Sequence, residues 1–379
     1  MNPLVSIIID NYNYGRFLKE AIDSAIHQTY SPVQVIVVDD GSTDNSREVI
    51  DEYGNKIKSI FKENAGQASA FNVGFAASTG DIIIFLDSDD ELHVNTLEKA
   101  VRLFKNIQVV KVHWPMWVVN AETKNMGQII PKDELSEGDL LELLTTCGPG
   151  LFNDKFLGSP TSGNAFRRQY LEEVFPISEV EFRTGGIDYY LFVLSTVFGK
   201  CAKLAEPGGY YRVHGSNDTS SRIEDYIAKF DGWYEKVCID LSPKLQEKGI
   251  NIKADEWPRN SWFHRINESI KEIKMAVPEK ASFILVDDEQ WRTTTDFAGR
   301  KRIPFIEKDG QYWGHPANDE EAIAEIERLK SEGAEFIFFA WVSFWWLDYY
   351  SVTNEYLRYK YECVVSDNNV IGFNLMEAQ

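Results

Sequence analysis

Ile82-Ile83-Ile84-Phe85-Leu86-Asp87-Ser88-Asp89-Asp90 is the stretch that decides the fold. Five apolar residues in a row read as a fully buried strand. The run stops at three carboxylates around one serine. A buried strand that ends in acids puts them where open α/β sheets bind their ligands. Carboxylates this close repel one another, which is tolerable when a divalent cation sits among them. An acidic turn capping a helix that starts near Asn95 is the other reading, and the sequence upstream decides between the two.

Val5-Ser6-Ile7-Ile8-Ile9 is a first strand, stopped by the turn-rich Asp10-Asn11-Tyr12-Asn13-Tyr14-Gly15. Apolar pairs Phe17/Leu18, Ala21/Ile22 and Ala25/Ile26 then repeat every four residues, which predicts a helix. Residues 33–38 form a second buried strand ending at Asp39-Asp40-Gly41-Ser42, with Ser42 or Thr43 as cap of a helix carrying Val49 and Ile50. A shorter strand covers 58–62. It leads through Glu63 into Asn64-Ala65-Gly66-Gln67 and a helix of small residues that runs to Ala77 and closes at Gly80. Strands alternating with helices of about a dozen residues predict a mainly parallel sheet with right-handed crossovers. Every strand of this set ends in polar residues, and in a parallel sheet those ends share one edge. Turn chemistry explains any one of them; four together indicate a polar ligand.

The chain has 379 residues, enough for two or three domains, with 44 % apolar and 26 % charged residues. Its 39 basic against 59 acidic residues leave a net charge of −20, which argues against nucleic acid and against docking on anionic lipid. No apolar run reaches the roughly 20 residues that span a bilayer. The first residues lead straight into a strand, so no signal peptide is expected. Cys147, Cys201, Cys238 and Cys363 are scattered rather than paired as metal or redox motifs, and a reduced, cytoplasmic setting is the expectation.

Ile-Ile-Ile-Asp-Asn-Tyr-Asn (7–13), Val-Val-Asp-Asp-Gly-Ser-Thr-Asp (37–44), Asn-Ala-Gly-Gln-Ala-Ser-Ala-Phe-Asn-Val-Gly (64–74) and Leu-Asp-Ser-Asp-Asp (86–90) resemble the successive motifs of the inverting glycosyltransferases of family 2. The resemblance covers roughly residues 3–220. It implies a GT-A fold, Rossmann-like, with a mainly parallel sheet flanked by helices. Neither G-x-G-x-x-G nor a Gly-Lys-Ser phosphate loop occurs.

The resemblance also implies a set of roles. Asp10, Asn11, Tyr12 and Asp40 would hold the base and ribose of a nucleotide sugar, with Asn64 and Gln67 lining the pocket. Asp87 would sit between metal and ribose, and Ser88 would set the turn. Asp89 would hold Mn²⁺ or Mg²⁺ directly, with His214 of Tyr210-Tyr211-Arg212-Val213-His214-Gly215-Ser216-Asn217 opposite. Asp188, in Gly185-Gly186-Ile187-Asp188, would be the general base; a helix N-cap is its structural alternative. Family members commonly carry Glu-Asp where this chain has Ile187-Asp188. The Gln-x-x-Arg-Trp motif of processive members is missing, so single addition is expected.

The expected reaction moves a sugar from a nucleoside diphosphate, UDP by the family's commonest choice, to an acceptor hydroxyl on a glycan, lipid-linked glycan or protein. The setting would be bacterial polysaccharide or glycoconjugate synthesis, on a cytoplasmic protein peripheral to the membrane only through its acceptor or partners. A nucleotidyltransferase using the same acids, and a nucleotide-sugar-binding module without catalysis, are the alternatives.

Between these motifs, 109–119 reads as one strand containing Trp114 and Trp117, 148–150 and 158–163 as loops, and 161–168 as the entry to a helix. Beyond residue 222 the pattern turns helical to about 280, with core stripes Tyr226/Ile227, Phe230, Trp233/Tyr234, Val237 and Trp262, Ile266, Ile270, Ile273, and breaks at Pro243, Pro258 and Pro278. The three expected regions are therefore 1–222, 223–280 and 281–379. The last reads as a small α/β domain with strands at 283–286 and 336–340, a capping box Asn318/Glu321 and a terminal hairpin around Asp367-Asn368-Asn369. Its Trp341, Trp345, Trp346, Tyr349 and Tyr350 fit a core, while an exposed set would suit a sugar or self-association. Asp287-Asp288 reads as a turn.

Overall fold

Ile82 through Leu86 form a strand in which no residue is more than 2 % exposed. The computed structural model describes residues 2–148, 158–215, 223–251, 257, 262–291 and 297–376. Two compact units emerge, Met1–Ser220 with Gly232–Pro258, and Ser221–Asp231 with Arg259–Gln379.

The first unit runs β1 (Val5–Asn11), α1 (Gly15–Ile26), β2 (Val33–Asp39), α2 (Ser46–Asp51), β3 (Lys58–Phe61), α3 (Gln67–Ala77), β4 (Ile82–Asp87), β5 (Glu91–Leu92) and α4 (Thr96–Leu103). It continues with β6 (Val109–His113), β7 (Met116–Asn120), β8 (Asn125–Ile130), α5 (Leu141–Cys147), β9 (Asn164–Arg167), α6 (Arg168–Leu171), α7 (Ile187–Phe198), β10 (Lys200–Lys203) and β11 (Gly209–Val213). Helix α8 (Ile223–Glu247) crosses the boundary between the units.

The main sheet has the order β10-β6-β9-β4-β1-β2-β3. Its strands run parallel except β9, which is antiparallel to both β4 and β6. The strands of a second sheet, β5-β11-β7-β8, are interleaved with it along the chain. Continuous apolar sequence explains β1, β2 and β4, which are covered on both faces. Helix α1 buries Phe17, Leu18, Ala21, Ile22 and Ala25, while α3 packs so closely that a Cβ on Gly74 would stand 2.3 Å from Ile8 Cγ2 and 3.3 Å from Val38 Cγ2.

Four local expectations are corrected. The single strand expected at 109–119 is two, in different sheets, because Pro115 cannot donate to a ladder and the chain turns at Trp114-Pro115. The stretch 161–168 does reach a helix, α6 at Arg168, but only after a short turn and β9, the antiparallel strand between β4 and β6. Asn45, not Ser42 or Thr43, precedes α2, and Asp44 Oδ1 accepts from the Ser46 amide at 3.0 Å. Pro243 lies inside α8 rather than breaking it.

The second unit holds α9 (Trp262–Ala276), β12 (Ser282–Val286), β13 (Lys301–Pro304), the hairpin β14 (Glu307–Lys308) and β15 (Gln311–Tyr312), and α10 (Asp319–Ser331). It ends with β16 (Phe336–Ala340), α11 (Trp345–Tyr349), α12 (Ser351–Lys360), β17 (Glu362–Ser366) and β18 (Val370–Asn374). The sheet order is β13-β12-β16-β18-β17, parallel across its first three strands and antiparallel across its last three. Asn318 Oδ1 accepts the Glu321 amide at 2.9 Å and caps α10. Phe230, Trp233, Tyr234, Val237, Ile266, Ile270 and Ile273 are buried, as core stripes should be. The side chains of Tyr226, Ile227 and Trp262, and residues 149–150, 216–217 and 258, lie outside the described residues.

Gly74→Val drives a branched side chain into β1 and should cost about 2–3 kcal/mol. Calorimetry should show the first unit melting several degrees lower; an unchanged midpoint would mean that α3 does not sit on β1 this closely.

Candidate active site

Asp10, the last residue but one of β1, is in register with Asp87 at the end of β4. The pairs Ile8–Phe85 and Asp10–Asp87 alternate onto one face of the sheet, the face covered by α3. There Gln67, in the first turn of α3, donates to Asp87 Oδ1 at 3.0 Å. Burial pushes the Asp10 carboxyl up to about 7, against the Gln67 hydrogen bond that lowers it and with the charges of Asp89 and Asp40 adding to the rise. Burial likewise lifts Asp87 well above the carboxylate range, helped by Asp10, Asp90, Asp89 and Asp188. Asp10 Oδ1 and Asp90 Oδ2 are buried without a hydrogen-bond partner among the described residues.

Arg212 holds the acidic turn in shape. Its guanidinium, 1 % exposed, donates to the Asp89 carbonyl at 2.8 Å, to Glu20 and Glu91 at 2.7 Å each, and to Thr123 Oγ1 at 2.7 Å. Its own amide donates to Asp90 Oδ1 at 2.9 Å. Asp90 therefore ties the turn to β11 rather than facing a ligand. Two residues further on, His214 Nε2 meets Asp89 Oδ2 at 3.0 Å, while Arg16 donates to Nδ1 at 3.2 Å. Asp89 and His214 are thus neighbours.

The remaining strand ends are braced from within. Asn11 donates to Asp39 Oδ1 at 2.8 Å and to Ser42 Oγ at 3.1 Å, and the Ser42 amide returns to Asp39 Oδ2 at 3.2 Å. Asp40 is buried and accepts from Lys62, from the Ala65 amide at 3.1 Å and from the Gly66 amide at 2.7 Å. Its carboxylate thereby shapes the loop that presents Asn64 and Gln67. Arg183 donates to Asn64 Oδ1 at 3.3 Å, and its carbonyl accepts the Gln67 amide at 3.0 Å. Tyr12 is 47 % exposed beside these loops, and Ser88 is buried inside its turn.

Asp188 occupies the second position of α7, so it is not the N-cap; Gly186 is, at φ +80° and packed against Trp233. Asp188 Oδ1 accepts the Tyr189 amide at 2.8 Å. Burial raises its pKa, opposed by that amide and by the charge of Lys111. Lys111 and His113 are fully buried on β6, with Lys111 Nζ donating to His113 Nδ1 at 2.7 Å and His113 Nε2 to the Ser136 carbonyl at 2.7 Å. The ammonium lies 4.3 Å from the Phe192 ring centre, one helical turn below Asp188. Burial brings Lys111 down to about 7, and burial with the Lys111 charge holds His113 well below the imidazole range. Lys111, His113, Arg212, Asp39 and Arg183 carry roles the sequence reading did not give them. The signal for the first two was a Lys and a His on one face of an otherwise apolar strand.

The donor set fits a divalent cation. Asp89 and His214 offer one carboxylate and one imidazole at a separation that adjacent ligands of a metal adopt. Among the described residues no three His, Cys, Asp or Glu side chains form a metal cage by themselves. Oxygen ligands from water or substrate would complete such a site, as is usual for Mg²⁺ and its relatives.

An open α/β sheet with acids gathered at its carboxyl edge, and a helix-borne carboxylate beside them, is the arrangement expected of a GT-A glycosyltransferase. Comparison with known proteins agrees. The family described as Glycosyl transferase family 2 matches residues 6–175. An uncharacterized glycosyltransferase of Nostoc sp. (strain PCC 7120) is 34 % identical over 281 residues, 71 % of this chain and 85 % of that one. Glycosyltransferase GlyG of Streptococcus pneumoniae is 37 % identical over 112 residues, 28 % of this chain and 36 % of the relative. The crystal structure of S. aureus TarS 1-349 in complex with UDP-GlcNAc superimposes with a TM-score of 0.52 at 17 % identity, over 72 % of this chain and 76 % of that one. The chain belongs to glycosyltransferase family 2 and is an enzyme of that family, with an additional C-terminal α/β unit. Among the described residues no helix is long and apolar enough to cross a membrane.

Removing the buried cation with Arg212→Met leaves Glu91 and the acidic turn unpaired and should cost about 3–5 kcal/mol in urea unfolding. A loss under about 1 kcal/mol would show that the guanidinium does not hold the turn.

Lys111 gives a pH signature. Between its folded value of about 7 and the ordinary 10.5, the folded state binds fewer protons than the unfolded state, so stability rises with pH across that window. Urea titrations of wild type and Lys111→Met should show the wild type gaining on the variant from about pH 7 to about pH 10. Parallel curves would place the amine in water.

Proposed function

We propose that the enzyme is a metal-dependent, inverting, non-processive transferase that moves a sugar from a nucleoside diphosphate, UDP first among the candidates, to an acceptor hydroxyl. The observation that carries this reading is the convergence of Asp10 and Asp87, paired in register, with the Asp89–His214 pair and with Asp188, whose charge acts on Asp87. A cation held by Asp89 and His214 would supply the positive charge that a leaving diphosphate needs.

The chain's own residues do the rest. Asp10, Tyr12, Asn64 and Gln67 contact the nucleoside, with Asn11 and Asp40 fixing the loops they stand on. Asp87 takes the ribose side, and Ser88 sets the turn between the two acids. Asp188 accepts the proton of the acceptor hydroxyl as that oxygen attacks the anomeric carbon from the face opposite the departing diphosphate, which inverts the centre. Burial raises the Asp188 pKa and so strengthens it as a base, while the neighbouring Lys111 charge keeps the carboxylate form accessible. The scattered cysteines of the sequence and its net charge of −20 support a cytoplasmic enzyme of glycan assembly. The UDP-GlcNAc in the TarS complex makes UDP sugars the first donors to test.

Mass-spectrometric transfer assays across UDP, GDP and dTDP sugars, with Mn²⁺, Mg²⁺ or EDTA, test this. Asp188→Asn should lose about 10²–10⁴-fold in turnover and keep nucleotide affinity. EDTA and Asp89→Asn should each abolish transfer. A variant at 188 with the full rate would end the base assignment, and undiminished transfer in EDTA would end the cation site.

A further inference from the structure

The second unit carries a cluster that the transfer reaction does not use. Strand β12 has β13 on one side and β16 on the other, both parallel to it. The chain leaves β12 to one side first and returns on the other, so the carboxyl end of β12 is a topological switch point, where open α/β sheets leave a crevice for ligands. Asp287-Asp288-Glu289 stand there.

Asp288 gathers three donors: His315 Nε2 at 3.1 Å, Trp345 Nε1 at 3.1 Å and Trp346 Nε1 at 3.3 Å. The imidazole meets Trp345 edge to face at 5.1 Å, and Tyr349 packs against Trp345 at 6.1 Å. Trp346 and Tyr350 are core residues, but Trp345 is 40 % and Tyr349 70 % exposed. A carboxylate thus fixes the plane of an indole whose ring remains open to solvent. On the turn after β16, the neighbouring strand end, the Ser343 hydroxyl is fully buried with no hydrogen-bond partner among the described residues. A core needs neither the fixed exposed rings nor the orphaned hydroxyl.

We propose that this edge of the second unit binds a pyranose ring of a glycan, stacked on Trp345 and Tyr349 with its rim hydroxyls on Asp288 and His315. A pyranose presents a face of C–H bonds, partially positive, to the negative face of an aromatic ring. Its rim hydroxyls can donate to the remaining lone pair of Asp288 Oδ2 and to His315 Nδ1, the acceptor nitrogen left when Nε2–H bonds Asp288. Hydrogen bonding favours a sugar over a quaternary ammonium: Asp288 already accepts from an imidazole and two indoles, and Asp287 and Glu289 share Arg302 at 3.4 Å, so no carboxylate stands bare beside the exposed rings. Size disfavours a second copy of the chain, since two exposed rings fall far short of the roughly 1,000 Å² that a stable interface buries. Such a site would tether an acceptor glycan at a second point and raise its effective concentration. The acceptor role rests on the proposed transfer function; the binding itself does not.

Saturation-transfer NMR on the full chain, in EDTA and without donor, tests the binding apart from catalysis. The probes are methyl glycosides of glucose, galactose, mannose and N-acetylglucosamine, the corresponding tetrasaccharides, and tetramethylammonium. At least one sugar should bind with its ring C–H protons saturated. Trp345→Ala and Tyr349→Ala should each weaken it at least tenfold. Asp288→Asn, which suits the φ of +50° at that position, should weaken it severalfold with the fold kept. Asp188→Asn should bind as wild type does. The proposal falls if no sugar binds, if binding survives Trp345→Ala, if only tetramethylammonium binds, or if sedimentation shows Trp345→Ala turning a dimer into monomers.

Discussion

Two carboxylates forced level with each other at the end of adjacent parallel strands are the constraint around which the first unit is built. Asp10 and Asp87 sit side by side because register in a parallel pair is set by the apolar run before them, and neither run can slip without turning its apolar side chains. Both are desolvated, so each is more costly as an anion than as an acid. One amide, from Gln67, is a partial answer. The rest of the charge balance is left to whatever binds, and this makes the edge a place for cationic or proton-donating groups.

The positive charge of the fold is kept just off that edge. Arg212 is consumed by Glu20, Glu91 and the carbonyl of Asp89, and so sets the shape of the acidic turn without neutralising Asp10 or Asp87. Lys62 is consumed by Asp40. Lys111 shares its proton environment with His113 beneath Asp188. Buried ion pairs of this kind add little net stability, yet breaking one leaves a desolvated charge. Their use here is geometric: they fix loops whose functional side chains stay uncompensated.

Sequence made the alternation of the first sheet legible because continuous apolar runs and polar strand ends are period signals that need no long-range information. It placed Asp10, Asp87, Asp89, Asp188 and His214 through motif resemblance, and the geometry puts Asp89 beside His214 and Asp10 beside Asp87. It missed β9, since a four-residue antiparallel strand defined by its two neighbours leaves no pattern of its own. The break at Pro115 was readable from proline chemistry, but two tryptophans in a β-rich run masked it. Asp39 and Arg212 were invisible as braces, because a hydrogen bond across 28 residues, or a salt bridge across 192, is a property of the fold. Asp287-Asp288 read as a turn and is one, with the Gln290 amide donating to the Asp287 carbonyl at 2.9 Å; its companions His315, Trp345 and Trp346 were invisible because they lie 27 to 58 residues away.

Both units place acids at the carboxyl end of a central parallel strand, and the two sets are compensated in opposite ways. In the first unit, Asp10 has a bare buried oxygen and a carboxyl raised to about 7, so the edge attracts a charge from outside. In the second, Asp288 already accepts from two indoles and an imidazole, and Asp287, raised to about 6 by burial, has Arg302 beside it. A cation would have to displace those donors, and a phosphate would meet three acids with one guanidinium between them. What that edge offers is aromatic surface and hydrogen bonds of fixed direction. Two strand ends that look alike as Asp-x-Asp and Asp-Asp in sequence would therefore suit different ligand chemistry, and the difference lies in which groups the fold brings to them.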